Sequence, residues 1–338
     1  MKHLFIVVAV TSSFLLSCNN GNKVPDVSGI QIKLTTDRFE KNLFDTTTSS
    51  LTSYLQKLQN SSPSFAANYL KNILGMDPSW PADTTAGYVN GFVQSYRSVY
   101  DSSEKLFSDF SKYENEIKEG LQFVKYYFPN YKLPEKIITY IGPVDGYGDI
   151  ISPEGLLVGL QQHLGKNYPL YKTDRVRDVY ADYITNQFEP DYIAVNCMKN
   201  ITGDVYPEKE SDKPLVNQMI EKGKRLYILS KFLPTTNEYK LIGYTDNQLK
   251  DAYKHEAVIW DLFVKGSLLQ STDKNLMKNY IEEGPKTQEL GEGAPGNIGS
   301  FAGWQIVKKY MEKNSAITLQ QLIHLDEETI FQEAKYKP

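Results

Sequence analysis

The sequence predicts an α+β fold, mainly α-helical with a small central sheet. Apolar residues recur at helical spacing over most of the chain. One β-branched and aromatic stretch, Ile137-Ile-Thr-Tyr-Ile141, breaks that texture near the middle and is stopped by Gly142-Pro143. A third observation bears on the kind of helical protein: the segment from Thr245 to Phe263 carries half of a zinc-binding helix motif.

The chain has 338 residues, 41% hydrophobic and 23% charged, ordinary values for a core-forming globular protein. A formal net charge of -4 argues against nucleic acid as a partner, because no basic surplus exists to neutralise phosphates. The 24 tyrosines fit amphipathic rings filling a large helical core, with sugar-stacking surfaces as the sharper alternative.

At the N-terminus Lys2 supplies a positive charge, and Leu4 to Leu16 form an apolar run too short to span a membrane as a stable helix. Leu15-Leu-Ser-Cys18 follows and resembles a bacterial lipobox. Residues 1–17 are therefore expected to be a lipoprotein signal peptide, with Cys18 acylated as the mature N-terminus. The plainer alternative is a secretory signal with an accidental cysteine. Residues 18–29 then form the lipidated cysteine and a polar, turn-rich tether. Several acyl chains, at ~0.8 kcal/mol per buried CH₂, would hold such a protein on a membrane durably. Cys197 is left without an intrachain partner, so stability must come from the core rather than from a disulfide.

Residues 30–338 read as a single domain. Its first part, 44–131, is helical: Leu51, Tyr54, Leu55 and Leu58 recur at helical spacing, as do Phe65, Tyr69, Leu70 and Ile73. Tyr88, Phe92, Tyr96 and Tyr100 make another stripe, and Leu121, Val124, Tyr127 and Phe128 close a helix before Pro129. The sheet occupies 135–159, where Gly146 to Gly159 reads as a turn and a second strand. The helical pattern returns over 160–338, through Arg175 to Phe188 and Leu215 to Phe232. Pro234 to Asn237 and Gly243 then punctuate a loop.

Thr245 with Gln248 three residues on is a capping-box signature, so a helix starts at Asp246 and runs to about Leu269. A zincin helix carries His-Glu-x-x-His, in which two histidines hold Zn²⁺ and the glutamate activates a bound water. Here His255 and Glu256 are present, but the second ligand position is Ile259, which has no lone pair to offer. The architecture expected is thus zincin-like, that is metalloprotease-like, but lacking the full metal motif. Leu249, Tyr253, Glu256, Trp260 and Phe263 follow at alternating spacings of four and three, which puts Glu256 inside an otherwise apolar stripe. A carboxylate there is either a buried anchor, hydrogen-bonded to backbone or paired with Lys or Arg, or a retained catalytic or ligand-binding group. Of the 4 histidines His3 lies in the signal region, so a zinc site would need His255 plus His163 or a distant acid such as Glu282, Glu283, Glu289 or Glu292. Downstream, Gly299 and Gly303 fall on one helix face with Val307 and Tyr310, beside Trp304. Glycine inside a helix costs ~1 kcal/mol relative to alanine, so two on one face imply close backbone approach, with the Thr245–Leu269 helix the expected object and a bound peptide or glycan the alternative.

Several collinear motifs carry a resemblance over nearly the whole mature chain. They are Met219-Ile-x-x-Gly-Lys-Arg-Leu-Tyr-Ile228, Leu241 to Leu249, Glu256-x-x-Ile-Trp260, Leu268-Leu269 with Ser271-x-Asp273, and Pro295-Gly-x-Ile-Gly299-x-x-x-Gly-Trp-Gln-Ile-Val307. The terminal Ile330-Phe-x-x-Ala-Lys-Tyr-Lys-Pro338 and the early Val24 to Gly29 fit too. Together they resemble the GldB gliding-motility lipoproteins of Bacteroidota. The resemblance implies an exported lipoprotein needed for surface gliding, found with the machinery that moves surface adhesins. It also implies similarity to zincin-type proteases, in a family whose members often keep Glu-x-x-Ile-Trp without the metal ligands. His255 departs from the Asn expected at its position.

The function expected is a non-catalytic, envelope-anchored lipoprotein supporting gliding motility and the associated protein-export machinery. It would be a pseudo-metalloprotease with no cofactor, bound to the membrane through the lipid at Cys18 and to envelope proteins of the gliding apparatus. The alternative is a metal-dependent hydrolase acting on envelope peptide or peptidoglycan, with Glu256 as general base and His255 as a metal ligand. Asn19 follows Cys18 and the first acid is Asp26; surface lipoproteins of Bacteroidota tend to carry acids within the first few positions, so the resemblance implies the periplasmic face, expected at the outer membrane.

Overall fold

In the computed structural model, residues 24–208, 212–291 and 293–338 are described. The signal region, Cys18 and Glu292 lie outside the described residues. The architecture is α+β and mostly helical, with one small mixed sheet.

Two long helices, Leu215–Phe232 and Ile298–Lys313, cross at the centre of the C-terminal half. The second is buried on every side over its first ten residues, Ile298 to Val307. A helix apolar all round belongs in a core. The crossing is so close that a β-carbon on Gly303 would lie 1.8 Å from the Met219 carbonyl oxygen, and one on Gly223 2.3 Å from the Gly303 carbonyl. Gly299 faces the end of the Lys274–Ile281 helix, where a β-carbon would meet the Tyr280 carbonyl at 2.8 Å. The glycine face therefore makes the close backbone approach that its spacing predicts. Its partner, however, is the Leu215–Phe232 helix and not the one beginning at Thr245. Gly223 on the opposing helix supplies the matching gap.

The sheet has the order β1-β2-β4-β3, with β1 Thr35–Arg38, β2 Lys136–Tyr140, β3 Ile150–Ser152 and β4 Gly155–Gly159. β2 lies parallel to β1 and to β4, and β3 pairs antiparallel with β4. β4 is buried throughout and β2 from Ile137 onward, so both read as unbroken apolar runs rather than alternating ones. Gly155 sits at φ +143, and a β-carbon there would press on the Lys136 carbonyl at 2.1 Å. The stretch Gly146 to Gly159 thus holds a hairpin of two strands instead of the single one expected. β1 carries no apolar alternation, only Thr-Thr-Asp-Arg, and is a strand because β2 pairs with it from about a hundred residues away.

Other expectations shift in register. In the Ala82–Ser95 helix the buried face is Ala86, Val89 and Val93, one residue on from the tyrosine stripe, and Tyr88 stays 46% exposed against Trp80. That helix ends at Tyr96, where the Arg97–Leu106 helix takes over. Arg175 to Phe188 forms two separate turns, Asp174–Arg177 and Asp182–Thr185, instead of one helix. Val176 and Phe188 fill a small satellite core with Val144 and Tyr171, too little apolar surface for a continuous helical face. The loop expected between Pro234 and Gly243 encloses a short helix, Glu238–Ile242, closed by Gly243 at φ +80.

The remaining motif segments serve the same frame. The Leu269 and Ser271 carbonyls accept the free N–H groups of Val216 and Leu215 at the start of the Leu215–Phe232 helix, and Asp273 caps the Lys274–Ile281 helix. Among the described residues no helix is long and apolar enough to cross a membrane.

The crossing gives a direct test. Gly303→Ala should destabilise by about 3 kcal/mol or more, because the methyl meets backbone that cannot step aside. Gly91→Ala, in the exposed interior of the Ala82–Ser95 helix with nothing within 4 Å of the added carbon, should stabilise by about 0.5–1 kcal/mol. Chemical denaturation of both variants measures this, and wild-type stability in Gly303→Ala would contradict the crossing.

Candidate functional site

The capping box forms as its sequence predicts. Thr245 Oγ1 accepts the Gln248 N–H at 3.2 Å, and Gln248 Oε1 accepts the Thr245 N–H at 2.9 Å. The helix so started does not run through to Leu269. Asp246–Lys254 and Glu256–Lys265 are two helices that meet at His255, whose φ of -110° and ψ of 23° bend the axis. The Asp251 carbonyl accepts both the His255 backbone N–H and its ring nitrogen Nδ1, at 3.0 and 2.9 Å.

The bend sorts the motif residues. Leu249, Ala252, Ile259 and Phe263 face the core, with Phe263 fully buried. His255 is exposed, so the two positions that would share a metal on a zincin helix have opposite surroundings. Tyr253, Glu256 and Trp260 fall on a half-buried flank rather than in the apolar stripe expected of them. The C-terminal segment covers that flank. Glu256 Oε1 accepts a hydrogen bond from Tyr336 Oη at 2.6 Å, and Trp260 packs edge-on against Tyr336 and obliquely against Phe331. Burial, then the Glu256 hydrogen bond, pushes the Tyr336 hydroxyl well above the usual phenol range, so it stays a donor. Lys335 adopts the left-handed conformation at φ 47, which ends the Glu327–Ala334 helix and turns Tyr336 back toward Trp260.

A second cluster adjoins the first. Lys308 Nζ lies 2.6 Å from Glu238 and 2.9 Å from Tyr253 Oη, and its ammonium stands 3.9 Å above the Trp304 ring. Trp304 is fully buried behind it. The cation therefore links Glu238, Tyr253 and Trp304 across three helices.

The other candidate metal ligands are spread through the fold. His163 is 1% exposed; its Nε2 lies 2.8 Å from Asp149 Oδ2 and its Nδ1 3.1 Å from the Glu189 carbonyl. Asn196 donates to the same Asp149 oxygen, and Asp149 Oδ1 accepts the Gly159 N–H. Burial opposes the charged imidazole, but the Asp149 charge and hydrogen bond outweigh it and raise the His163 pKa. Glu289 accepts from Tyr280, while Glu282, Glu283 and His324 are exposed. Among the described residues no three His, Cys, Asp or Glu side chains are grouped to hold a metal ion. Cys197 is buried and free, and burial pushes its thiol up, away from the reactive thiolate.

Sequence reasoning missed Lys224. It is fully buried beside Gly223, with Nζ 2.6 Å from Glu327 Oε1 and 2.5 Å from the Leu325 carbonyl. Lys213 reaches the other Glu327 oxygen at 2.7 Å. Burial works against the Glu327 charge, yet hydrogen bonds from Lys213 and Lys224 win and lower its pKa. The available signal was a lysine directly after the glycine that meets Gly303. The C-terminal segment is thus held at both ends, by Lys224 through Glu327 and by Glu256 and Trp260 through Tyr336 and Phe331.

A family model described as gliding motility protein GldB matches residues 20–338. No curated protein and no solved structure matches the chain.

Two measurements test the site. A double-mutant cycle of Glu256→Ala and Tyr336→Phe should give a coupling of about 1 kcal/mol, and Trp260→Ala should cost about 2–3 kcal/mol, less than a fully buried tryptophan. No measurable coupling in urea denaturation would mean the tail does not dock there. The second concerns pH. His163 holds its proton more tightly folded than unfolded, so its contribution is complete below the unfolded pKa of ~6.5 and is lost as pH rises through the folded value. Melting temperature should fall in the wild type as pH rises between those two values, and His163→Gln should remove this component.

Proposed function

The chain belongs to the GldB gliding-motility family, and from that premise we propose that it acts as a non-catalytic, lipid-anchored envelope lipoprotein supporting gliding motility and the associated protein-export machinery. The observation that carries the non-catalytic reading is the hydrogen bond from Tyr336 to Glu256. A general base must be free to take a proton from a metal-bound water. This carboxylate instead accepts from a phenol and helps to fasten the end of the chain. The likeness to zincin proteases rests on the His255-Glu256 pair, and we read it as kinship of a degenerate, pseudo-metalloprotease kind. His255 is exposed and directs Nδ1 to the Asp251 carbonyl, and Ile259 is core.

Anchoring through acyl chains on Cys18 is supported by the Leu15-Leu-Ser-Cys18 pattern. Placement at the periplasmic face of the outer membrane is supported by the absence of acids before Asp26 in the tether. Val27, expected in the tether, is instead buried, and its carbonyl accepts the Ile30 N–H, so the spacer between domain and lipid would be shorter than residues 18–29.

Complementation of a null strain separates this reading from metal-dependent hydrolysis. Glu256→Gln keeps the shape of the side chain and an acceptor for Tyr336, so gliding should be retained, while Trp260→Ala should impair it along with stability. Loss of gliding in Glu256→Gln at wild-type melting temperature, together with one tightly held Zn²⁺ per chain that disappears in His255→Ala, would establish the hydrolase instead.

A further inference from the structure

Most tyrosines of this chain are spent inside the fold, as with Tyr69, whose hydroxyl donates to the Ile141 carbonyl from a fully buried ring. Tyr183 and Tyr239 are so only in part: the Tyr183 hydroxyl donates to the Glu283 carbonyl at 3.3 Å, and one side of Tyr239 packs against the core. Each is half-buried, and both line a surface cavity of about 610 Å³, within the range of small-ligand sites. Side-chain amides accompany them: Asn186, Gln187 and Gln248 line the same cavity. Gln248 commits its carbonyl oxygen to the Thr245 cap, which leaves its NH₂ as a donor. Asn186 is exposed and its side chain makes no hydrogen bond among the described residues.

What the walls lack is as informative as what they hold. Among the described residues no Leu, Ile, Val or Met lines this cavity, so they form no socket for an acyl chain or an apolar peptide side chain. None of the four strands borders it, so no edge is offered for an extended peptide to pair with. Its two lysines are outnumbered by Glu189, Asp191 and Asp246, which rules against a phosphate backbone. Asp191 and Lys240, 3.3 Å apart, also line a neighbouring recess, and Tyr183, Gln187 and Gln248 line another. The cavity shares walls with both.

Aromatic faces beside planar amides, without aliphatic sockets, match one ligand chemistry. A sugar ring presents a C–H face that lies on an aromatic plane and a rim of hydroxyl or acetamido groups that an amide can meet as both donor and acceptor. We propose that this cleft binds an oligosaccharide chain, with sugar rings against Tyr183 and Tyr239 and polar contacts from Asn186, Gln187 and Gln248. Neither His255 nor Glu256 lines it, so the site stands apart from the question of catalysis.

Titration calorimetry of the detergent-solubilised full-length lipoprotein tests this, with chitotetraose, maltotetraose and tetraalanine as probes. At least one of the two oligosaccharides should bind saturably and tetraalanine should not. The Tyr183→Ala and Tyr239→Ala changes together should weaken that affinity by about tenfold or more. Should the tyrosine variant lose its folded transition, Asn186→Ala at its exposed position carries the test, with a several-fold loss expected at unchanged melting temperature. Failure of both sugars to bind, binding of tetraalanine instead, or sugar affinity unchanged in these variants would overturn the assignment.

Discussion

At the crossing of Leu215–Phe232 with Ile298–Lys313 there is no room for a β-carbon on Gly223 or Gly303, and the rest of the C-terminal half follows from that constraint. Two backbones in direct contact draw their neighbouring positions inward. Lys224, next to Gly223, is carried into the interior, and Trp304, next to Gly303, is sealed there. A buried ammonium is tolerable only when it is paired, so Glu327 and the Leu325 carbonyl must come to it. A sealed indole beside a lysine makes a place for a cation over its face, and Lys308 takes it. The charged residues at the centre of the molecule are consequences of how near the helices come.

Glu256 and Trp260 serve the other end of the same arrangement. The Glu327–Ala334 helix is keyed to the central pair at its start through Glu327, and beyond its end through Tyr336 on Glu256 and Trp260. Lys313 adds a bond to the Ala334 carbonyl at 2.5 Å. Motifs that are scattered along the sequence thus close into one object, a C-terminal strap whose helix packs on the two central helices and whose Phe331 and Tyr336 reach Trp260 and Glu256.

Features written in local chemistry were legible. The Thr245 cap, the strand at Ile137, the helices Leu51–Ser61, Ser111–Tyr127 and Leu215–Phe232, and the small-residue face of Gly299 and Gly303 are all marked by residues near one another in sequence. Features whose cause lies far away were not. β1 has no strand pattern of its own and is made by its neighbour. The partner of Gly303 is decided by Gly223, eighty residues earlier. Periodicity marked an apolar stripe through Tyr253, Glu256 and Trp260, but could not show that His255 would divert the helix and turn that stripe toward the tail. Nor does any spacing rule reveal that a glutamate's partner is a tyrosine 80 residues on. The aromatic stripe at Tyr88 misled for a different reason: large rings can lie on a surface against each other, as Tyr88 does with Trp80.

The Lys224–Glu327 pair spans 103 positions and joins the middle of the chain to its final helix. In a chain made N-terminus first, Lys224 exists long before Glu327. The crossing itself waits for Ile298–Lys313, and even then it would enclose a lysine without its counter-ion, at a cost of about 3–5 kcal/mol, until the final helix follows. The last residues of the chain are thus what allows its middle to close.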